Sequence, residues 1–328
     1  MLCKFRYVII IIIVVLGCLL GSSAHAWWDT TYWDEVRYYA PSWTPEGKIC
    51  FIKEVKNNSK TENIPWPFFM LTFGTSANNF GEPEYYLCTM NINGSDKKEI
   101  AKMPKGFKPD LISWARNNSI IVLSGKIFEK GVEATSKMAT LRADGTNFKY
   151  ITSGTMADVS ADGLKIVYVN HGIWISSADG NNQNNILTNG THPLWSPNGE
   201  MIAFEQGSRI KEINGVYLFR LKDKQARKVS DKDFFNWESS GNYLWTFYGL
   251  IDLNGNVVKG YLQERNNKPI PTGPLAPDGS KIVSDFNRDD FYIGDVNDNK
   301  IYSINAFQEI KYGKNNKNQE NKIWINNR

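Results

Sequence analysis

The chain has 328 residues, of which 41% are hydrophobic, with 38 Lys and Arg against 34 Asp and Glu. A formal charge of +4, carried by basic residues scattered among Asn, Asp and Glu, lacks the clustered footprint of a nucleic-acid binder and excludes that class of partner. The same scatter offers no basic patch for a membrane surface.

Lys4 and Arg6 precede an apolar run from Tyr7 to Leu20 that is broken only by Gly17 and Cys18. Ala24-His25-Ala26 then places small residues at the two positions a signal peptidase reads. The pattern predicts a signal peptide over residues 1–26 with cleavage before Trp27. The run is shorter than the roughly 20 residues of a bilayer span and no basic stop-transfer cluster follows, so the mature chain is expected to have no transmembrane span. Val15-Leu16-Gly17-Cys18 supports a second reading, a lipoprotein acylated at Cys18, although Leu19 and Leu20 would carry the apolar run past that cut. Cleavage before Trp27 leaves 36 Lys and Arg against 34 Asp and Glu, a nearly neutral surface, and leaves Cys50 and Cys88 as the mature cysteines. In an oxidising compartment these two either form a disulfide or remain two buried thiols.

The mature chain opens on Trp27-Trp28-Asp29-Thr30-Thr31-Tyr32-Trp33. Two readings stand for it: a terminal strand that closes a ring, or an aromatic arm for a partner or glycan. A repeated motif begins directly afterwards. Ala40-Pro41-Ser42-Trp43-Thr44-Pro45-Glu46-Gly47-Lys48-Ile49-Cys50-Phe51 and His192-Pro193-Leu194-Trp195-Ser196-Pro197-Asn198-Gly199-Glu200-Met201-Ile202-Ala203-Phe204 are its clearest copies. Asp158–Tyr168 and Gly273–Val283 keep the turn and the strand without the tryptophan, and Ser113–Val122 and Asn236–Trp245 are degenerate. With residues 47, 118, 163, 199, 241 and 279 as markers, the steps are 71, 45, 36, 42 and 38 residues, which makes six units. All but the first step match a four-stranded propeller blade of roughly 40–50 residues. The first is lengthened by an insertion over residues 57–83. It contains Ile64-Pro65-Trp66-Pro67-Phe68-Phe69-Met70-Leu71-Thr72-Phe73-Gly74, too apolar for a solvated loop and suited to capping the channel, walling a pocket or docking a protein.

The physics of one unit accounts for the motif. Pro presets φ and Gly accepts positive φ, so Pro-x-Gly or Asp-Gly reverses the chain tightly. The short apolar run that follows suits a strand buried on both faces. A second hairpin signal recurs as Asn93-Gly94, Asp144-Gly145, Asp179-Gly180 and Asn254-Gly255. Two hairpins per unit give four antiparallel strands. The predicted fold is therefore all-β, a six-bladed β-propeller of four-stranded antiparallel blades over residues 27–310, with a polar tail over 311–328.

The Trp-Ser-Pro-Asn-Gly and Pro-Asp-Gly-Ser-Lys-Ile-Val stretches resemble the TolB-type propeller repeat of exported bacterial proteins, over about residues 40–305. The resemblance implies a periplasmic or secreted bacterial protein. It covers the propeller only, because the chain has no room for the amino-terminal α/β domain of TolB, so partners reached through that domain do not carry over. The Gly-His and Trp-Asp signatures of the WD repeat are absent.

Trp43, Trp114, Trp195 and Trp237 share one repeat position, as expected of inter-blade packing, and Trp174 and Trp245 fall in strand-like runs. The candidate binding residues are those the repeats leave over: Trp27, Trp28, Trp33, Trp66, Phe68, Phe69 and Phe73. A second candidate is the acidic loop of Asp285, Arg288, Asp289 and Asp290. His171 and His192 have no Cys, Asp or Glu at zinc spacing, and Asp295-Val296-Asn297-Asp298-Asn299 lacks the Gly and closing Glu of a calcium loop, so no metal or cofactor is expected. No nucleophile elbow, zinc-protease helix, phosphate-cradling loop or Cys-x-x-Cys pair occurs. These readings favour a monomeric, non-enzymatic exported scaffold that binds a protein or an envelope glycan. The alternative is a carbohydrate-active lyase or hydrolase whose acidic residues meet at the channel mouth.

Overall fold

Short strands that are apolar at consecutive positions can be buried on both faces only between two other sheets. Six antiparallel sheets satisfy that demand among the residues that the computed structural model describes, which are 27–64, 76–129, 134–207, 214–231, 234–246, 249–260, 273–287, 290–295 and 301–304. The first holds β1 (Trp27–Trp43), β2 (Ile49–Ile64), β3 (Ser76–Asn79), β4 (Glu84–Met90) and β5 (Lys98–Lys102), in the order β1-β2-β4-β5 with β3 beside β2. The second is β6 (Phe107–Trp114), β7 (Ile120–Ile127), β8 (Thr135–Arg142) and β9 (Lys149–Tyr150). The third is β10 (Thr155–Val159), β11 (Lys165–Val169), β12 (Ile173–Ser177) and β13 (Asn184–Leu187). The fourth is β14 (Thr191–Trp195), β15 (Met201–Gln206), β16 (Gly215–Arg220) and β17 (Gln225–Ser230). The fifth is β18 (Phe234–Trp237), β19 (Tyr243–Thr246), β20 (Gly249–Asp252) and β21 (Val257–Gly260). The sixth is β22 (Lys281–Asn287), β23 (Asp290–Asp295) and β24 (Ile301–Ile304), and a bridge from Leu275 to Ile282 takes its inner position.

One apolar cluster fills each junction between neighbouring sheets. Ile52 and Leu87 of the first sheet meet Phe107 and Ile121 of the second, and Val122 and Met138 of the second meet Ile166 and Tyr168 of the third. Val167 and Ile173 meet Trp195 and Phe204, Ala203 and Leu218 meet Trp237 and Leu244, and Trp245 meets Ile282. Finally Val283 and Phe291 of the sixth sheet pack on Trp43, Phe51 and Met90 of the first. Six junctions that return to the first sheet make a closed ring. The fold is a β-propeller, and no helix among the described residues is long and apolar enough to cross a membrane. Full burial of each large aliphatic at such a junction contributes about 1.5–3 kcal/mol.

The turn markers explain why the repeat needs its glycines. Gly47, Gly163, Gly199, Gly241 and Gly279 have φ between 72° and 77°, and Asn118 occupies the same left-handed region at 58° in the degenerate second repeat. Asn tolerates that conformation better than most non-glycine residues. The second-hairpin glycines 94, 145, 180 and 255 join β4 to β5, β8 to β9, β12 to β13 and β20 to β21, as their spacing predicts.

The described residues of 36–55 and 83–304 contain this ring, whereas residues 27–35, 56–64 and 76–82 fall in a second compact unit. Within the latter the outer half of β2 pairs antiparallel with β3, from Ser59 opposite Asn79 to Glu62 opposite Ser76. The buried Asn58 accepts a hydrogen bond from the Gly81 N–H at 3.2 Å. A portion of the predicted insertion is thus a hairpin extension of the first sheet. Its apolar centre, residues 65–75, lies outside the described residues, as do the signal segment 1–26 and the tail 311–328.

Cys50 and Cys88 are two free, buried thiols and form no disulfide. They sit on neighbouring strands, but Cys50 lies opposite Thr89 and Cys88 opposite Phe51, and successive residues of a strand point to opposite faces. Cys50 faces the second sheet and Cys88 the sixth, so the first sheet itself separates the sulfurs. Burial raises both thiol pKa values, that of Cys88 to about 12, which suits inert packing groups.

Candidate functional site: the central channel

The inner strand of every sheet faces a common channel of about 860 Å³, lined from β1, β6, β10, β14, β18 and the Gly273–Leu275 segment. That volume lies within the usual range of ligand pockets. The inner strands are not regular. Register breaks occur between Pro109 and Leu111, Thr155 and Asp158, Thr191 and Leu194, and Phe234 and Asn236. Ala40, Met156 and His192 each lie three residues before the repeat's tryptophan position, and all three have positive φ, at 52°, 52° and 48°. Such bulges re-aim side chains, and here they turn Met156 and His192 towards the channel. Along each inner strand the bulge comes first, then the tryptophan position, then the turn. His192 therefore stands towards one end of the inner strands and Arg116, in the turn after β6 and aligned with Pro45, Pro197 and Pro277, towards the other.

The tryptophans of the repeat pack as expected and also wall the channel. Trp43, Trp195 and Trp237 are buried, and Trp114 is half-buried. The Trp43 Nε1–H donates to the Pro274 carbonyl at 2.9 Å and that of Trp237 to the Leu194 carbonyl at 3.1 Å. Each thus reaches the inner segment of the preceding sheet, one residue before its tryptophan position, and the Trp43 bond ties the last sheet to the first. Trp114 departs from the rule and donates to Asn118 Oδ1 at 2.8 Å, within its own turn.

Among the described residues, four ionisable side chains line the channel: Arg116, Asp158, His192 and Glu205. Asp158 precedes Val159, where the third repeat lacks its tryptophan. Its Oδ1 accepts from Ser113 Oγ at 2.6 Å, on the second sheet, and its Oδ2 from the Trp195 N–H at 2.7 Å, on the fourth. Ser113 Oγ accepts in turn from the Val159 N–H at 3.0 Å. One carboxylate thereby joins three inner strands. A sliver of Asp158 faces the channel, but protein surrounds it, and this desolvation raises its pKa to about 6 against the lowering effect of its hydrogen bonds. Glu205 has a similar role at the next junction, accepting from the Phe234 N–H at 3.2 Å through Oε1 while Oε2 lies 3.1 Å from His192 Nδ1. His192 is exposed, with 56% of its side chain accessible. Among the described residues no three His, Cys, Asp or Glu side chains converge as a metal site.

Arg116 differs from the other three. It makes no hydrogen bond or ion pair with any described residue. Its side chain is exposed in the turn after β6, and desolvation by the protein at its base lowers its pKa against the opposing fields of Asp158 and Glu238.

No family model matches the chain, and no curated protein matches it in sequence. Solved structures similar to it include the β-propeller domain of the Trilobed protease from Pyrococcus furiosus, at 13% identity and a TM-score of 0.48, covering 81% of this chain and 84% of that one. A putative TolB from Agrobacterium tumefaciens follows, at 13% identity and a TM-score of 0.41, covering 84% and 88%. An oligogalacturonate lyase from Vibrio parahaemolyticus is similar at 11% identity and a TM-score of 0.39, covering 84% and 79%. The likeness is one of propeller fold. The functions of these proteins are mixed.

Among the described residues that line the channel, none is a binding candidate singled out from the sequence. Trp33 is half-buried in the hairpin unit, and Trp27 and Trp28 lie on β1 with side chains outside the described set. Trp66, Phe68, Phe69, Phe73, Arg288 and Asp289 are outside the described residues altogether. Asp285 lies on β22 opposite Phe291, and Asp290 opens β23 opposite Asn287, but their side chains too are outside it. Sequence reasoning missed Arg116, Asp158 and Glu205. Two departures from the repeat mark the first two: an arginine where three other copies carry proline, and an acid beside the missing tryptophan.

Proposed function

We propose that the protein is an exported propeller scaffold that binds a protein or an envelope ligand at its channel without transforming it. One observation carries this reading: both carboxylates that reach the channel are engaged in holding neighbouring inner strands together, through Ser113 and Trp195 for Asp158 and through Phe234 for Glu205. An acid that must keep these bonds is poorly placed to shuttle a proton. The amino-terminal pattern and the TolB-like repeat support export of a bacterial protein, cut before Trp27 and acting as a monomer in the periplasm or outside the cell. The Trp27–Trp33 cluster and the insertion at 57–83 supply further contact surface in this reading. Cross-linking and affinity capture from the native envelope test it. Recovery of a stable partner, lost on deletion of residues 62–80 while circular dichroism keeps its β signature, is the expected result.

The contact between His192 and Glu205 favours one second reading, a carbohydrate-active lyase or hydrolase with an imidazole–carboxylate pair at the channel mouth. Turnover of an acidic or neutral oligosaccharide by the pure protein, abolished in His192→Ala, together with failure to capture any partner, would replace the scaffold by the enzyme.

A further inference from the structure

Arg116 stands two residues beyond the tryptophan position, where three other repeats carry Pro45, Pro197 and Pro277 and two carry Ala161 and Ser239. It is the one permanent cation among the described channel-lining residues. A guanidinium presents five N–H donors in a planar fork, and packing has given this one no acceptor among the described residues. The acids nearby are taken. Asp158 holds Ser113 and Trp195, and Glu238 accepts from Ser239 Oγ at 2.7 Å, from the Ser240 N–H at 2.9 Å and from Ser240 Oγ. Their fields reach Arg116, but neither lies within ion-pair distance. They balance its charge while leaving its fork open. The channel lining that it shares with Trp114, Pro197 and Pro277 also offers apolar surface.

An exposed, open fork on the lining of a channel that also carries indole and proline surface is complementary to two coplanar oxygens joined to an apolar body. Resting on the reading of the channel as a binding site, we infer that Arg116 receives the carboxylate of a ligand entering from the turn-side mouth, the rest of the ligand lying along the tryptophan and proline wall. A small organic acid and the terminal carboxylate of a peptide share this chemistry. The cavity of about 860 Å³ is large enough for the first and for a short stretch of the second.

Isothermal titration of the purified chain, with tryptophan fluorescence as a second readout, tests the assignment. The probes are phenylacetate, its neutral isostere phenylacetamide, and the peptide acetyl-Ala-Ala-Ala-Phe with a free or an amidated carboxyl end. The expected result is binding of at least one free acid at least about tenfold tighter than its amide, with that preference lost in Arg116→Gln and partly kept in Arg116→Lys. Binding of phenylacetate indicates a small-acid ligand, and binding of the peptide acid alone indicates a chain terminus. Equal binding of acid and amide, an unchanged preference in Arg116→Gln with a wild-type thermal midpoint, or no binding of either acid would overturn it. Envelope capture that persists in Arg116→Gln after such a failure would leave the scaffold reading standing and remove only this one.

Discussion

Two junctions of the ring solve one packing problem by different physics. Where the sixth sheet meets the first, at opposite ends of the ring's chain, the contact is apolar: Phe291 lies edge-on to Phe51 with ring centroids 5.6 Å apart, flanked by Trp43, Met90 and Val283, and an indole hydrogen bond crosses to Pro274. Where the third sheet meets its neighbours, the repeat has lost its tryptophan, and a buried carboxylate bonds both adjoining inner strands. Ring closure thus rests on shape and area, which are insensitive to pH. The junctions at the degenerate motif add to their apolar clusters a titratable carboxyl, which is not.

Phe291→Ala should separate the two most strongly, costing about 3–5 kcal/mol of stability in denaturant unfolding because the closing junction cannot collapse around the void. Asp158→Ala should follow at about 2–4 kcal/mol, since it strands the Ser113 hydroxyl and the Trp195 N–H together. The pH dependence sharpens the contrast. A carboxyl whose folded pKa is about 6, above its unfolded value near 4, binds its proton more tightly in the fold. Its contribution to stability is greatest below about pH 4 and falls as pH rises through 6, by at most about 3 kcal/mol. The difference in stability between wild type and Asp158→Asn should therefore change across pH 4–6, whereas that between wild type and Phe291→Ala should stay level. Trp43→Phe keeps the apolar contact and removes the bond to Pro274, for a loss of about 0.5–1.5 kcal/mol. Smallest of all, a reducing agent should leave the thermal midpoint unmoved, because Cys50 and Cys88 are not bonded to each other.

The architecture was legible because its signals are local. A Pro-x-Gly turn, an apolar run and an Asn-Gly or Asp-Gly turn specify two hairpins regardless of what lies across the ring, and all six marker positions, including the non-glycine Asn118, adopt the positive φ that the turn demands. The shared position of Trp43, Trp195 and Trp237 predicted packing correctly for the same reason. The channel was not legible. Arg116 reads in sequence as one more surface cation in a weak repeat, and Asp158 as one more acid before a turn. Their meaning depends on Ser113, Trp195 and Glu238, which lie on other sheets. The cysteines show the limit from the other side. The sequence left a disulfide and two buried thiols equally open, and the register, one residue out of phase, puts the sulfurs on opposite faces.

The sequence by itself determined six repeats, their turns and their burial pattern, since backbone conformation and hydrophobic periodicity act over a few residues. Only the tertiary structure decided which polar side chains reach the channel and which of those are already engaged. Hydrogen bonds between blades join residues up to 231 positions apart, as from Trp43 to Pro274, and no local pattern records them.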